Sequence, residues 1–379
     1  MSLSPFLILK RRKKFQKEIV LDIGTEAVKG MIFQKNNSEV SILAQAIEYY
    51  DRYTVFLTSF FEKEIMKRTI LKVIEKLKRQ TSFQFDSVIL NLPPDVFIAK
   101  VARINYKTKG ERITKEKGEK IFQEVEREAI KRIAESNFKE RGVLPHHLQF
   151  LKIKILERRI NGYVVPEILN YKGGNLEFKV LGIFLPREYL NSFFSPVLIL
   201  KEMKVRRFII SHLVEGLINL IPDPLNLEEA VFLDIGGKIT QIFLLEDKSL
   251  KEIAEVNLGG KEMSQIFSEI LGLGEDEARV LKERYSKGEL SESSRKVIKE
   301  FLEKAVKIWC NKLKEKLLEI NFGVFPEKIF IFGGGALLPE IKEKLEKEGA
   351  QVSFFQFSNF KVSSQFLPCL LSYYGAKNF

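Results

Sequence analysis

One short phrase occurs twice in this sequence. Leu-Asp-Ile-Gly stands at residues 21–24 and again at residues 233–236, with Asp22 and Asp234 at its second position. In both places an apolar run precedes the phrase, and a short polar turn and a second apolar run follow it, which is the pattern of a β-hairpin closed by a glycine turn. A chain that repeats this element so far apart is expected to fold into two lobes with related hairpins.

A third glycine element lies further along the chain. Residues 329–332 form an apolar, strand-like run, and Gly333, Gly334 and Gly335 follow it directly, before a helix-like segment. A turn between a strand and a helix presents backbone N–H groups and a helix N-terminus, which are the features that hold phosphate. Three unrelated turns would also give such a pattern, but the fixed order of the elements favours a nucleotide held between two lobes.

The composition is that of a globular protein. Of the 379 residues, 45% are hydrophobic and 30% are charged, which is enough for two or three cores. Cys310 and Cys369 each stand beside large apolar residues and are predicted to be core residues of a protein in a reducing cytoplasm. The three histidines show no metal-ligand spacing, which argues against a zinc site or a metal hydrolase.

The net charge of +12 does not predict a nucleic-acid partner, because the basic residues are mixed with acids along predicted helices. The exception is residues 5–15, where a short apolar patch meets five consecutive basic residues. This segment is either a basic tail or a contact with an anionic membrane surface. No apolar run reaches the roughly 18 residues that a membrane-spanning helix requires.

The order of strand-like and helix-like segments predicts α/β sheets covered by helices. The first lobe begins with strands at 18–22, 27–34 and 39–46, a helix at 62–79 and a strand at 87–93. The stretch that follows is about 100 residues longer than a simple connection requires. It contains a small α+β insertion with a helix at 115–138 and strands at 148–160 and 176–184. The second lobe adds helices at 261–271, 275–285, 293–320 and 338–347, strands at 328–332 and 351–357, and a returning helix at 367–376.

The hairpins supply what a nucleoside triphosphate requires, namely N–H groups for phosphate and carboxylates for a hydrated Mg²⁺. Asp22 and Asp234 end their strands at the gap between the lobes, where they are expected to hold metal-bound waters and to be the catalytic carboxylates. The glycines at 333–335 are expected to approach the ribose and α-phosphate. The residue after Thr240 is Gln241 rather than a histidine or carboxylate, so nucleotide binding with at most slow hydrolysis is predicted.

These motifs resemble those of a known superfamily. Asp22-Ile-Gly-Thr25, Asp234-Ile-Gly-Gly-Lys-Ile-Thr240 and Phe332-Gly-Gly-Gly-Ala336 look like the phosphate-1, phosphate-2 and adenosine motifs of the ATPases that include actin, the DnaK-type chaperones and the sugar kinases. The resemblance spans nearly the whole chain and implies an α/β, actin-like (ribonuclease H-like) two-lobe fold that binds ATP and Mg²⁺. The nucleotide contacts that it implies are Gly24, Thr25, Gly236, Gly237, Lys238, Thr240, Gly259, Gly260, Lys282, Gly333, Gly334 and Gly335.

The position of the insertion narrows this resemblance. Actin, MreB and DnaK place their first insertion after the third strand, where this chain has only a short connection. The extra subdomain between residues 94 and 200 is similar to domain 1C, also called SHS2, of the cell-division protein FtsA and of PilM from type IV pilus assembly. Two departures bear on ribose contacts and hydrolysis. Arg279 stands where the family usually has Glu, and Lys238, Ile239 and Gln241 replace the Gly, Thr and Asp of the FtsA motif.

The resemblance implies a division of the chain into segments. They are a basic tail at 1–16, the first lobe (1A) at 17–96, a 1C-like subdomain at 97–200, more of the first lobe at 201–228, the second lobe (2A) at 229–260, a small helical 2B-like subdomain at 261–292, more of the second lobe at 293–357, and a return to the first lobe at 358–379.

Two roles remain open from the sequence. Residues 161–166 and 171–180 resemble a Gly/Pro turn and strand of FtsA domain 1C. This favours a self-associating scaffold of bacterial cell division that links the FtsZ C-terminal peptide, or another divisome protein, to the inner face of the cytoplasmic membrane. The chain stops where the PilM fold stops, which instead favours a cytoplasmic adaptor that binds a peptide of an inner-membrane pilus protein. A small-molecule kinase is less favoured, since no motif for a catalytic Asp or a sugar pocket is found.

Overall fold

The computed structural model describes residues 16–36, 39–50, 63–81, 87–202, 205, 207–220, 227–357 and 360–377, so the predicted membrane contact at 5–15 lies outside the described residues. In chain order the strands are β1 (Gln16–Ile23), β2 (Ala27–Asn36), β3 (Glu39–Tyr49), β4 (Ser87–Asn91), β5 (Ile98–Lys107), β6 (Leu148–Ile160), β7 (Tyr163–Val164), β8 (Asn175–Pro186), β9 (Arg207–Ile210), β10 (Ala230–Ile235), β11 (Thr240–Glu246), β12 (Ser249–Val256), β13 (Lys328–Phe332) and β14 (Gln351–Phe354). The helices are α1 (Lys63–Gln80), α2 (Lys115–Arg141), α3 (Leu190–Glu202), α4 (Leu213–Leu220), α5 (Gly260–Leu271), α6 (Glu275–Ser286), α7 (Glu292–Ile320), α8 (Pro339–Lys347) and α9 (Leu367–Lys377).

Two five-stranded sheets share one topology. The strand order is β3-β2-β1-β4-β9 in the first sheet and β12-β11-β10-β13-β14 in the second. In each sheet the first three strands form an antiparallel meander and the other two run parallel to its first strand. A β-bulge follows Ile32 in one meander and Leu244 in the other, the same number of residues after each aspartate of the repeated phrase. The two predicted hairpins are therefore equivalent parts of two equivalent sheets.

Helices cover these sheets and close the cores. In the first lobe α1 packs against β2 and β3, while α9 packs against α4, β1 and β4. Every residue of β4 is buried, as expected for a central strand between two layers. In the second lobe α7 packs against β12, α5 and α8. The core of the first lobe extends to Phe232 and Phe243 of the second sheet, so apolar packing also joins the lobes.

Between β4 and β9 the chain forms a separate four-stranded sheet with the order β5-β8-β6-β7. We call this sheet and α2, which packs against β5 and β8, the insertion. The hydroxyl of Thr114 caps the start of α2 by accepting the N–H of Lys117, and the helix ends at Gly142, whose φ of 71° is easily adopted by glycine. Most buried residues of the insertion form a core of their own, while Ala99 of β5 and Leu181, Ile183 and Leu185 of β8 belong to the core of the first lobe.

The structure agrees with most predicted elements and adds two. β5 and β7 were not among the predicted strands, because β5 carries basic residues between its apolar ones, with Lys100 buried, and β7 is only two residues long. Cys310 and Cys369 are free and buried, as predicted. Within the described ranges, no helix is both long and apolar enough to cross a membrane.

Candidate functional site

A cavity of about 390 Å³ opens between the two sheets. Its wall is built from the turns of both hairpins, the connection after β13 and one side of α6. The aspartates of both copies of the repeated phrase, Asp22 and Asp234, line it. The duplication seen in the sequence therefore places two equivalent strand ends around one space.

In the first lobe, neighbouring strands bring three polar side chains into one row. Asp22 of β1 lies opposite Lys29 of β2 and beside Asn91 of β4. The Lys29 ammonium donates to Asp22 Oδ2 at 2.9 Å, and the Asn91 amide donates to Asp22 Oδ1 at 2.8 Å. Burial opposes the charge on Lys29, but Asp22 and Asp234 outweigh this effect and hold its pKa above the usual range. Lys29 is therefore a fixed cation in the cavity wall.

The equivalent row in the second lobe has different side chains. Asp234 of β10 lies opposite Gln241 of β11 and beside Phe332 of β13, and Gln241 lies opposite Glu255 of β12. Burial raises the pKa of Asp234 to about 7, although Lys29 opposes the rise and Asp22 adds to it. Near neutral pH the Asp234 carboxyl therefore exchanges between its neutral and ionised forms.

The two hairpin turns have the same backbone hydrogen bond. The N–H of Gly24 donates to the Ala27 carbonyl at 3.0 Å, and the N–H of Gly236 donates to the Ile239 carbonyl at 3.0 Å. In both cases the glycine directly follows the strand that carries the aspartate. Each turn therefore fixes the carboxylate and the nearby amides as one unit.

The turns also contact each other across the cavity. The Thr25 hydroxyl in the first turn accepts the N–H of Lys238 in the second at 3.2 Å. A Cβ on Gly237 would lie 2.6 Å from the Thr25 hydroxyl oxygen, so a larger residue would push the turns apart. Glycine at this position is thus required for the lobes to approach each other.

The glycine pair after β12 supports the second turn. The N–H of Gly260 donates to the Gly236 carbonyl at 2.9 Å, and the ammonium of Lys282 in α6 donates to the Gly260 carbonyl. A Cβ on Gly259 would lie 2.6 Å from the Gly236 carbonyl oxygen. Gly259 therefore packs behind the turn, whereas Gly260 and Lys282 form part of the cavity wall.

The three consecutive glycines divide into two functions. Gly333 has φ +90°, and a Cβ there would lie 2.6 Å from the carbonyl oxygen of Ile235, so this residue lets β13 turn closely past β10. Gly334 and Gly335 line the cavity with backbone alone. At Gly334 a Cβ would meet no described atom within 4 Å, so glycine leaves open space there, whereas at Gly335 a Cβ would lie 2.5 Å from Cγ2 of Ile235, so glycine is needed there for packing.

Thr240 lies behind the cavity wall. Its hydroxyl is buried, donates to the Leu258 carbonyl at 2.7 Å and accepts the Trp309 indole N–H at 2.9 Å. The side chain is thereby engaged within the second lobe. Of the predicted site residues, those in the wall are Asp22, Gly24, Thr25, Asp234, Gly236, Gly237, Gly260, Lys282, Gly334 and Gly335, and those that do not line it are Lys238, Thr240, Gly259 and Gly333.

The structure adds residues that the sequence patterns did not single out as site residues. Lys29 could have been found from the sequence, because it is a lysine within the apolar run of β2. It lies on the same face of the sheet as its partner Asp22 on β1. At the other end of the cavity, the Arg279 guanidinium lies 4.3 Å from the ring centre of Tyr49 and pairs with Glu283 at 3.1 Å. Tyr49 also hydrogen-bonds Glu283. These side chains connect β3 of the first lobe to α6 of the second.

The polar side chains of the cavity wall suit a metal ion that arrives already bound to a phosphate ligand. Mg²⁺ in phosphate sites usually keeps several waters and takes one or two carboxylates together with phosphate oxygens. Asp22 and Asp234 supply two carboxylates, and the buried Oδ1 of Asn91, beside Asp22, has no hydrogen-bond partner among the described residues. The part of the chain that the structure describes contains no group of three or more His, Cys, Asp or Glu side chains suited to hold an ion by itself.

Two lobes of equal topology around one cavity define the class of this protein, which has the actin-like ATPase fold, and solved structures share it. A chain of the PilM-PilN type IV pilus biogenesis complex superposes with a TM-score of 0.63 at 15% identity, over 95% of this chain and 98% of that one. Ethanolamine utilization protein EutJ from Carboxydothermus hydrogenoformans gives a TM-score of 0.52 at 11% identity, over 95% and 89%. A diol dehydratase-reactivating factor gives 0.51 at 7% identity, over 95% and 100%.

Neither protein-family models nor the sequences of curated proteins give a match to this chain. At 15% identity and below, the likeness to the solved structures concerns the fold. The predicted α/β, actin-like two-lobe fold is confirmed at this level.

Proposed function

We propose that this protein binds ATP with Mg²⁺ in the cavity between its lobes and acts as a cytoplasmic adaptor similar to PilM. The observation that carries the nucleotide assignment is the meeting of two Asp-Ile-Gly turns around one cavity, with the Lys29 ammonium bonded to Asp22 and close enough to Asp234 for both carboxylates to raise its pKa. Backbone amides of glycine turns together with a fixed cation are a phosphate-binding arrangement.

The cavity residues have distinct roles in this proposal. The amides of Thr25 in the first turn and Gly237 in the second bind phosphate oxygens from opposite sides, while those of Gly24 and Gly236 stay bonded within their turns. Lys29 neutralises phosphate charge. Mg²⁺, when bound, would neutralise further phosphate charge, and the carboxylates of the two aspartates would hold its waters.

The other end of the cavity would hold the nucleoside. Gly334 leaves room for the ribose against the backbone, and Gly335, Lys282 and Glu283 line the same space. Hydrolysis is expected to be slow, because Gln241 in the cavity wall is a neutral amide and cannot act as a general base. A bound nucleotide would therefore serve mainly to hold the lobes in one arrangement.

The adaptor part of the proposal is supported by the extent of the structural likeness to PilM, which covers nearly all of both chains. The partner would be a peptide of an inner-membrane pilus protein, and residues 5–15 would supply a contact with the inner face of the cytoplasmic membrane. An FtsA-like scaffold is the second candidate, favoured by residues 161–180. In the structure the start of this segment is a tight turn at Asn161 and Gly162 between β6 and β7.

Calorimetry with Mg-ATP tests the nucleotide site. Asp22→Ala and Asp234→Ala are each expected to weaken binding at least tenfold, the order of magnitude for a lost charge-assisted interaction. Asp247→Ala is the matched control, because its carboxylate lies in the same lobe but is exposed and pairs with Arg159 at 3.4 Å outside the cavity. Equal affinity in all three variants would refute the assignment.

Sedimentation and electron microscopy with Mg-ATP and anionic vesicles separate the two roles. A PilM-like adaptor is expected to stay free of filaments and to bind a cytoplasmic peptide of an inner-membrane pilus protein. Filaments on the vesicles, or capture of an FtsZ C-terminal peptide, would support the FtsA-like scaffold instead. Vesicle binding that survives deletion of residues 1–15 would exclude that segment as the membrane contact.

A further inference from the structure

The insertion is tied to both walls of the cavity by largely buried ion pairs, one to each lobe. We propose that the insertion senses the arrangement of the lobes, so that nucleotide in the cavity and the position of the insertion influence each other. This inference rests on the proposed nucleotide function. It concerns a connection of three side chains, Gln241, Glu255 and Arg141, to the second lobe and another connection to the first.

The tie to the second lobe starts in the cavity wall. Gln241 lines the cavity and lies opposite Asp234 on one side and Glu255 on the other. The Gln241 amide donates to Glu255 Oε1 at 3.4 Å, and the guanidinium of Arg141 bonds the other oxygen, Oε2. Since Arg141 is the last residue of α2, a row of cross-strand neighbours connects the cavity to the end of the insertion's helix.

The burial of this pair makes the tie energetically significant. Only 14% of the Glu255 side chain and 23% of the Arg141 side chain are exposed. Burial raises the pKa of Glu255, and Arg141 opposes that rise by stabilising the ionised form. A displacement of α2 would separate the pair and leave a buried carboxylate without its main partner, which is strongly unfavourable.

The tie to the first lobe involves a different strand of the insertion. A β-bulge in β6 between Phe150 and Lys152 precedes the lysine whose ammonium donates to both oxygens of Glu215, at 2.8 and 3.1 Å. Lys152 also donates to the Ile210 carbonyl at 3.0 Å. Glu215 is fully buried in the first turn of α4, and Leu213 at the start of the same helix lines the cavity.

Other ion pairs between the insertion and the second lobe lack this connection to the cavity. Arg103 of β5 pairs with Glu246 at 3.3 Å, but 60% of the arginine side chain is exposed. An exposed pair of this kind contributes little to stability. The Arg103–Glu246 pair therefore provides a control at the same interface, because it is not bonded to Gln241 or to another described residue of the cavity wall.

The consequence is a thermodynamic linkage. If a nucleotide changes the separation of the walls, the insertion has to move with one lobe or lose one of its two ties. Anything that binds the insertion in one position then favours one nucleotide state, and the nucleotide favours that position by the same factor. The position of the insertion would thus report the nucleotide state of the cavity.

Hydrogen exchange of the full chain, read by mass spectrometry, tests this inference. Saturating Mg-ATP is expected to slow exchange about tenfold at residues 134–141 and 148–155, in line with local stabilisation. Arg141→Gln and the isosteric Glu255→Gln are expected to abolish the change at 134–141 while calorimetry shows nearly unchanged ATP affinity. Arg103→Gln should keep the change. The inference would be overturned if Mg-ATP still slowed exchange at 134–141 fully in both Arg141→Gln and Glu255→Gln. It would also be overturned if Arg103→Gln lost this slowing to the same extent.

A nucleotide-free comparison separates this inference from the proposed function. Gln241→Ala alters only the cavity wall, and it is expected to accelerate exchange at residues 134–141 severalfold without any ligand, because Glu255 loses a hydrogen-bond donor. No Mg-ATP binding in calorimetry would refute the proposed function, and the effect of Gln241→Ala would then decide the tie on its own. Unchanged exchange at 134–141 in Gln241→Ala would show that the cavity and α2 are not connected.

Discussion

The two lobes have the same sheet topology, the same turn hydrogen bond and a β-bulge at the same place, yet their cavity-facing rows differ in chemistry. In the first lobe, Asp22 lies opposite a lysine, Lys29, and the two form an ion pair. In the second lobe, Asp234 lies opposite a neutral amide, Gln241, and its pKa is raised to about 7. The backbone that presents amides to a ligand is thus duplicated, whereas the positive charge comes from one side only.

The rows also end differently. The next strand places Ile47 opposite Lys29 in the first lobe and Glu255 opposite Gln241 in the second. The apolar residue ends the polar row at the cavity wall. The carboxylate extends it to Arg141 and hence to the insertion. One lobe is therefore specialised for charge in the cavity, and the other for a connection beyond it.

Replacing Lys29 and Gln241, which occupy equivalent positions in the two lobes, should show the difference between the lobes most clearly. Lys29→Met leaves Asp22 without its cation, which is expected to destabilise the fold by about 3–5 kcal/mol, the usual result of breaking a buried pair. Mg-ATP affinity is expected to fall at least a hundredfold, since phosphate loses its fixed cation. Gln241→Met at the equivalent position removes only one long hydrogen bond, 3.4 Å from the Gln241 amide to Glu255, so the loss of stability should be about 1 kcal/mol. Denaturant unfolding and calorimetry measure both.

Lys72→Met is the control for the loss of a lysine, because Lys72 pairs with Glu48 in an exposed position on α1. Its stability and ATP affinity should match those of the unmodified chain. Similar losses in Lys29→Met and Gln241→Met would show that the two lobes contribute equally and that the difference between the rows has no functional weight.

The raised pKa of Asp234 sharpens the comparison through pH. Its pKa rises on folding from 3.8 to about 7, so the folded state holds a proton that the unfolded state has released. The stabilisation is fully present below about pH 4 and is lost as the pH rises to about 7, at most about 4 kcal/mol in total. Asp234→Asn lacks this dependence and should be the more stable protein at pH 8. If the free energy of unfolding depended on pH in the same way for Asp234→Asn and for the unmodified chain, the raised pKa of Asp234 would be wrong.

Most of the fold was predictable because its signals are local. The repeated hairpins, the glycine turns and the amphipathic helices each appear as short patterns, and their order indicates two lobes and an insertion. β5 was not predicted because Lys100 and Arg103 interrupt its apolar alternation. In the folded chain these residues pair with Glu140 and Glu246. A strand with basic residues satisfied by distant partners has no local signature.

The site was predictable in its backbone and less so in its side chains. Glycine positions follow from turn chemistry, so both hairpin turns and the later glycine elements could be named from the sequence. The distinction between Gly260 in the wall and Gly259 behind it depends on how closely each packs against the Gly236 carbonyl oxygen, which a Cβ would approach to 3.6 Å at Gly260 and 2.6 Å at Gly259. The tie from Gln241 through Glu255 to Arg141 depends on strand pairing and on where α2 ends. Such contacts between distant residues leave no pattern in a single sequence.

The smallest expected difference concerns the first glycine of each turn. A Cβ on Gly24 would lie 3.1 Å from the Ala27 carbonyl oxygen, whereas one on Gly236 would lie 2.8 Å from the Ile239 carbonyl oxygen. Gly24→Ala should therefore change stability by no more than about 0.5 kcal/mol, because slight strain is offset by lower entropy of the unfolded chain. Gly236→Ala should cost about 1–2 kcal/mol, since the backbone oxygen has to move. Denaturant unfolding of the two single variants measures both changes in stability. Equal losses of stability would mean that both turns tolerate a Cβ equally well and differ only in their neighbours.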